Sequence, residues 1–391
     1  MILSKNHLWR WQCFFLFLLF TFAGMNTARS QDLYTAPNQS SLEKIKELLN
    51  DTPSKTLSVT LKTLALGENN LVPLSWLNRS KYPVQGYSNG TAFFQGYTVN
   101  EVKLSKGNWR LSYSSEDSSL FDANPSGAKL FLYAMSGMNG TLTALDAKVT
   151  MNRADGARTC LTYVTSFGNS LQKGHVSFAV DWWALRRVQY GSLTGNMQNG
   201  VFDGTLDLIT SRGLNDPAAR DYAISFDTSV SYPLSNSLSL GVWIENLFSQ
   251  AWLGSLQEIK AHVVTNTLIP DAQGFLHAPP ILSGSDSSVT SQRELWRRMD
   301  IGAAWHEGRC EWTGFLSHDR NWQCGLGLTK PAWKGARWTA MTWEDPFLQQ
   351  IGLQSGPWNV EFGASSLDFN RVRDADVMIS FRAALPNHIK R

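Results

Sequence analysis

Along most of the chain, apolar and polar residues alternate one for one. Tyr222, Ile224, Phe226, Thr228, Val230 and Tyr232 alternate with Ala223, Ser225, Asp227, Ser229 and Ser231. Val176, Phe178, Val180 and Trp182 alternate with Ser177, Ala179 and Asp181, and Leu238, Leu240, Val242 and Ile244 with Ser239, Gly241, Trp243 and Glu245. Near the end, Trp358, Val360, Phe362 and Ala364 share one face. Val377, Ile379, Phe381, Ala383 and Leu385 form another, against Met378, Ser380, Arg382 and Ala384. A period of two sends successive side chains to opposite faces of a β-strand. Residues 56–391 are therefore predicted to be all-β, an antiparallel up-and-down sheet of about 14 strands.

Turn chemistry divides these runs. Asp155-Gly156 and Asp203-Gly204 predict hairpins, because both residue types tolerate the positive φ of a type I′ turn. Lys106-Gly107 and Ser235-Asn236 are weaker turn signals. Two longer polar connections are expected at Gln189–Val201 and Thr267–Arg293. The second holds Pro270, Gly274, Pro279, Pro280 and Gly284, a composition that should not continue a ladder.

Residues 31–55 follow a different rhythm. Ser40-Ser41-Leu42-Glu43 fits a capping box, and Leu42, Ile45, Leu48 and Leu49 fall on one helical face before Pro53. A short amphipathic helix over Ser41–Asn50 is predicted: a plug, a periplasmic cap, or a helix packed on the domain's edge. Residues 1–30 read as a cleavable secretory signal, with Lys5 and Arg10, the apolar stretch Phe14–Met25, and Ala28-Arg29-Ser30 before Gln31. That stretch of 12 residues is shorter than the roughly 20 a membrane helix needs.

Composition then moves the sheet out of ordinary water. Charged residues make up 17% of the chain, against about 25% in typical soluble domains. Aromatic residues reach 12%, with 16 Trp, so much of the surface is not expected to meet bulk solvent. A formal net charge of +3 without a dense basic block excludes nucleic acid as a partner. Beyond the leader, Cys160, Cys310 and Cys324 are an odd number and no disulfide framework. A bridge involving Cys160 stays open.

Alternation alone would also suit a soluble sandwich with one wet face. Three features point instead to a transmembrane β-barrel. The clearest strands run about 9–11 residues, the length of a tilted strand crossing a bilayer. The polar partner in each alternation is often Ser, Ala, Gly or Thr, which suits a crowded lumen. Aromatics gather at strand ends, at Trp182-Trp183, Trp252, Trp305, Trp333, Trp338, Trp343 and Trp358, as interfacial girdles do. In such a barrel Tyr222, Ile224 and Phe226 face lipid and Ser225 and Asp227 face the interior.

Ile244-Glu245-Asn246-Leu247-Phe248, read as closing a strand, resembles the x-E-N-L-F strand ends of bacterial outer-membrane barrels. The final hairpin, Gly356–Leu385, is similar to the closing strands of fatty-acid-channel-like (FadL/PorV-type) barrels. The resemblance covers about a fifth of the chain by the extent of these motifs. It implies a barrel in the outer membrane with a transport or assembly role, dependent on the bilayer and on the outer-membrane assembly machinery, and handling a small-molecule solute.

Asp181, Asp227, Glu245 and Arg382 fall on the small-polar faces and are the lumen-facing candidates. There they would either tune ion preference or pair to fill the interior. No catalytic residue, metal or cofactor is predicted. Gly86-Tyr87-Ser88-Asn89-Gly90 matches a nucleophile elbow, but the segment after it reads as strand or loop where the elbow needs a helix. His306, Cys310, His318 and Cys324 gather within 19 residues but lack the close pairs that bring zinc ligands together. Two other classes remain beside the barrel: a secreted or periplasmic sandwich binding carbohydrate through exposed Trp, and an envelope hydrolase using Ser88.

Overall fold

The computed structural model describes residues 32–35, 54–70, 92–135, 145–168, 173–198, 201–211, 221–264, 269–270, 276–277, 281–319, 322–333, 335–343, 349–368 and 371–384. The leader, the helix expected at Ser41–Asn50 and the Ser88 elbow lie outside them. Residues Leu33–Arg391 form one compact unit.

In chain order the strands are β1 (Ser54–Asn69), β2 (Ala92–Gly107), β3 (Trp109–Ala123), β4 (Leu145–Gly168), β5 (Lys173–Gln198) and β6 (Val201–Ser211). They continue with β7 (Asp221–Pro233), β8 (Leu238–Val264), the short pair β9 (Ile269–Pro270) and β10 (Leu276–His277), and β11 (Ile281–Arg293). The last seven are β12 (Arg298–Glu307), β13 (Cys310–His318), β14 (Trp322–Pro331), β15 (Arg337–Trp343), β16 (Gln349–Ser355), β17 (Trp358–Ala364) and β18 (Ala375–Ala384). Among the described residues a helix, α1 (Pro125–Met135), lies between β3 and β4.

Sixteen of these strands make one antiparallel sheet. It closes on itself, because β18 pairs with β1 from Ser58↔Ala384 to Gly67↔Ala375. Two positions in the ring each hold two strands, one above the other. The first half of β5 pairs with β7 and the second half with β6. Likewise β8 carries β12 along its first half and β11 along its second. The sixteen strands therefore occupy fourteen positions, a closed barrel without a free edge around its lower wall. An even number of positions brings Ser58 and Ala384 to the same end. Connections at that near end are short, such as Gly107–Trp109 and Ser355–Trp358, and the longer ones lie at the far end.

The alternation of the sequence becomes inside and outside. Along β5, Val180 and Trp182 are 42% and 50% exposed, whereas Asp181 and Trp183 are 0% and 2%. Leu104, Leu111, Leu161, Phe226, Val360 and Ile379 are likewise exposed on the outer wall. Two rows of aromatic ring contacts bracket these aliphatics. At the near end Phe167 stacks on Tyr232 at 5.8 Å and Trp109 lies 4.8 Å from Tyr163. Toward the far end Trp182, Tyr222 and Trp252 form a three-ring ladder on adjacent strands, with centroids 5.2 and 5.0 Å apart.

Five turn and strand assignments need correction. Asp155-Gly156 and Asp203-Gly204 lie inside β4 and β6 and make no hairpins. Their glycines serve close backbone approach: a Cβ at Gly156 would sit 2.6 Å from Ala184 O, and one at Gly204 2.5 Å from Thr194 O. Gly204→Val is accordingly expected to cost about 1–3 kcal/mol by overpacking, read as a lowered unfolding midpoint in detergent; an unchanged midpoint would contradict this packing. The expected connection Gln189–Val201 is mostly strand, with Thr194 and Thr205 hydroxyls 3.0 Å apart across β5 and β6. The connection Thr267–Arg293 is half ladder, since β11 pairs with β8 from Ile281 onward. All its prolines precede Ile281, and the Ser, Val and Thr that follow suit a strand. Finally, Glu245–Phe248 ends no strand but lies mid-β8. The two weaker signals do turn the chain: Gly107 takes φ 60°, and Ser235 Oγ accepts hydrogen bonds from the Ser237 and Leu238 amides at 3.2 and 3.1 Å.

Candidate functional site

Inside the barrel, the irregularity of β8 sets the geometry. Between the pairs Phe226↔Phe248 and Thr228↔Ile244, the single residue Asp227 of β7 faces Glu245, Asn246 and Leu247 of β8. Asn246 absorbs the excess in a left-handed conformation, φ 53°, which Asn adopts more readily than most residues. Asp227 Oδ1 accepts the Asn246 amide at 2.8 Å, and Asn246 Nδ2 donates to Trp296 O at 2.8 Å. The bulge thus turns Glu245 and Asn246 inward against β7 and the start of β12.

Around it lies a buried layer of charge. Arg158, from β4, donates through Nε to Asp181 Oδ1 at 2.8 Å and through Nη2 to Asp227 Oδ2 at 2.9 Å. Nη2 also lies 2.8 Å from Asp181 Oδ2, and the guanidinium sits 4.9 Å from the Trp183 ring centroid. Ser225 Oγ donates to Asp181 Oδ2 at 3.5 Å, and Ser114 Oγ to Glu116 Oε1 at 2.6 Å. Arg298, on β12, faces Asp319 at 3.0 Å and Glu245 at 3.8 Å. Two guanidiniums thus serve four carboxylates, Asp181, Asp227, Glu245 and Asp319. Planar, permanently charged arginine suits this shared, bidentate bonding better than lysine would.

The N-terminal residues Leu33–Thr35 sit on this layer. Leu33 N donates to Glu294 O at 2.9 Å and Trp296 N to Leu33 O at 2.8 Å, a parallel bridge to the connection between β11 and β12. Tyr34 N donates to Asn152 Oδ1 at 3.0 Å, and Ser118 Oγ to Tyr34 O at 2.9 Å. Arg298 Nη2 donates to Thr35 O. Leu33 is fully buried among Leu185, Val188, Leu253, Leu256 and Leu295. Tyr34 packs edge-on to Trp296, with Arg298 over its ring at 5.1 Å. At this level the lumen is packed with side chains and this segment.

Asp181, Asp227 and Glu245 come together in the layer. Arg382 does not: it lies at the exposed near end of β18, opposite Thr60. The sequence reading did not single out Arg158, Arg298, Glu116, Asn246 or the plug residues. For Arg158 a signal existed, because Arg158, Cys160 and Thr162 alternate with Leu161 and Tyr163, but reading Asp155-Gly156 as a turn broke that phase. His306, Cys310, His318 and Cys324 have separate surroundings. His306 Nδ1 is 3.4 Å from Glu311, His318 packs on Trp322 at 4.7 Å, and Cys310 and Cys324 face Glu307 and Leu316 across their ladders.

No family model matches the chain, and no curated protein matches it. Among solved structures it is similar to the Pseudomonas putida toluene transporter TodX, with 10% identity, 93% of this chain and 98% of that chain covered, and TM-score 0.45. A structure titled CymD monoaromatic hydrocarbon channel gives 10% identity, 93% and 96% coverage and TM-score 0.43. The translocator domain of the autotransporter NalP from Neisseria meningitidis gives 8% identity, 88% and 93% coverage and TM-score 0.35. All are distant, and the barrel is read from this chain's own ladder.

Proposed function

We propose that this protein is a plugged channel of the bacterial outer membrane, exported by its N-terminal leader and inserted by the assembly machinery, which passes a small apolar or amphipathic solute. The observation that carries the reading is the stoppered interior: Leu33 fills an apolar layer of the lumen directly beside the charge layer of Arg158 and Arg298. Withdrawal of that segment would leave apolar space next to paired charges, a setting for a solute with one polar end. The carboxylate excess would favour cations over anions once the lumen opens.

The outer wall supports the membrane placement. Tyr222 and Tyr232, in the two aromatic rows, are ten residues apart on β7. At about 3.3 Å per residue and a tilt near 40°, that spans roughly 25 Å, the height of an outer-membrane apolar band. By the usual asymmetry of such barrels, the near end with its short turns faces the periplasm.

Three measurements test this. Detergent should be needed to extract the chain from membranes, and the folded form should migrate differently on gels before and after heating. In planar lipid bilayers, Leu33→Gly/Tyr34→Gly is expected to show cation-preferring conductance steps that the wild type lacks. Indistinguishable traces from both proteins would sink the channel reading.

A further inference from the structure

We propose that the pocket around Leu33–Thr35 is a peptide-binding site, which the chain's own N-terminal segment occupies as a tethered ligand. It takes an extended peptide carrying a large aliphatic residue followed by an aromatic one. The inference rests on the contacts of these three residues and not on the transport reading; a barrel that conducts nothing would still bind the peptide.

Most of the recognition falls on main-chain atoms. The N–H and C=O of Leu33, the N–H and C=O of Tyr34 and the C=O of Thr35 are bonded by Glu294 O, Trp296 N, Asn152, Ser118 and Arg298. This is strand addition with side chains from β3, β4 and β12 completing the cradle, a mode in which main-chain bonds hold the ligand and alternate pockets select it. Leu33 and Tyr34 enter separate surroundings, the one aliphatic and the other built from the Trp296 ring and the Arg298 guanidinium.

The wall's own ladder is also interrupted at this cradle. Between Arg293↔Ala251 and Arg298↔Glu245 the backbone ladder of β8 with its neighbour is interrupted. There β8 holds the wall by side chains instead: Ser249 Oγ accepts the Leu295 amide at 2.8 Å, and Asn246 Nδ2 donates to Trp296 O. Glu294 O and Trp296 N are thereby left to pair with Leu33. A terminus that merely packed against the lumen would not need the wall to give up its own ladder.

Tethering gives the native segment an effective concentration near the millimolar range, so a free peptide competes only when the tethered copy is weakened. The test uses the full chain carrying Leu33→Gly and Tyr34→Gly, in detergent micelles. A peptide copying residues 31–36, dye-labelled at its C-terminus, is titrated by fluorescence anisotropy. Saturable binding is expected, at least about tenfold weaker to the wild type, where the tether competes. A peptide with glycine at both central positions should not bind, and adding Asn152→Ala to the variant should weaken the true peptide severalfold. The proposal is overturned if the variant keeps its heat-modifiable migration yet shows no saturable binding. Equal binding of the glycine peptide, or equal binding to the wild type, also overturns it, as surface adsorption. If the double variant does not fold, Leu33→Gly alone gives the same reading.

Discussion

Arg158→Ala is expected to destabilise the folded barrel by about 3–5 kcal/mol, the cost of removing one partner from a fully buried ion pair. The guanidinium bridges Asp181 and Asp227, with the three side chains 3%, 0% and 3% exposed. Without it two carboxylates remain close together and desolvated, with the Ser225 hydroxyl, the Cys160 thiol and the Asn246 amide, all uncharged, as described donors. Arg158→Lys is expected to recover only part of the loss, because a point charge cannot hold both oxygens of Asp181 and reach Asp227 in one plane. On the outer wall, Arg186 bonds Asp155 at 2.7 Å but is 52% exposed. Arg186→Ala should therefore fall within about 1 kcal/mol of wild type. The midpoint of urea unfolding in micelles, followed by heat-modifiable migration, checks both. If the two alanine variants shift it equally, burial is not what makes the Arg158 cluster matter. Combining Arg158→Met with Asp181→Asn and Asp227→Asn should restore much of the loss, since the cost lies in the unpaired charges.

How far this layer could be read beforehand depended on strand phase. Asp181, Asp227 and Glu245 sit in runs whose apolar partners are large and unbroken, so their shared face followed from period two alone. Arg158 obeys the same rule, but Gly156 hid it: a glycine that lets Ala184 O approach is indistinguishable in sequence from one that turns a hairpin. The bulge at Asn246 was equally hidden. Glu245–Phe248 resembles a strand-end motif, but a bulge and a terminus both break the alternation, and only pairing with β7 tells them apart. The plug had no signal of this kind. Leu33–Thr35 are too few for any period, and their partners Ser118, Asn152 and Arg298 lie 84, 118 and 263 residues away. Local pattern fixes which face a side chain takes on its own strand; it holds nothing about which distant faces meet.

Val180→Arg is expected to cost about 2–4 kcal/mol in a bilayer, the penalty for a cation at the midplane of a lipid-facing barrel wall. Leu161, Val180 and Phe226 lie side by side on β4, β5 and β7 and are 46%, 42% and 41% exposed, so no protein surface covers them. Phe226 stands four residues from Tyr222 and six from Tyr232 on the same strand, close to the middle of the band that the aromatic rows bracket. An arginine here cannot snorkel to either interface without crossing much of that band. The informative partner is Thr98→Arg, which is also exposed and outward but lies toward the far end of β2, opposite Asp117. There the outer wall already carries the Arg153–Asp117 and Arg186–Asp155 pairs, so the substitution should cost no more than about 1 kcal/mol. Ser225→Arg would be a poor comparison despite its polar face. Ser225 is 1% exposed and contacts Asp181, so an arginine would overpack the charge layer. Refolding into lipid vesicles, with unfolding measured by urea, separates the outcomes. A large loss at Val180 with little change at Thr98 fits a wall immersed in lipid between the two rings of aromatics. Equal, small effects at both would mean that water, not lipid, covers the outer wall, and the membrane placement would fall with it.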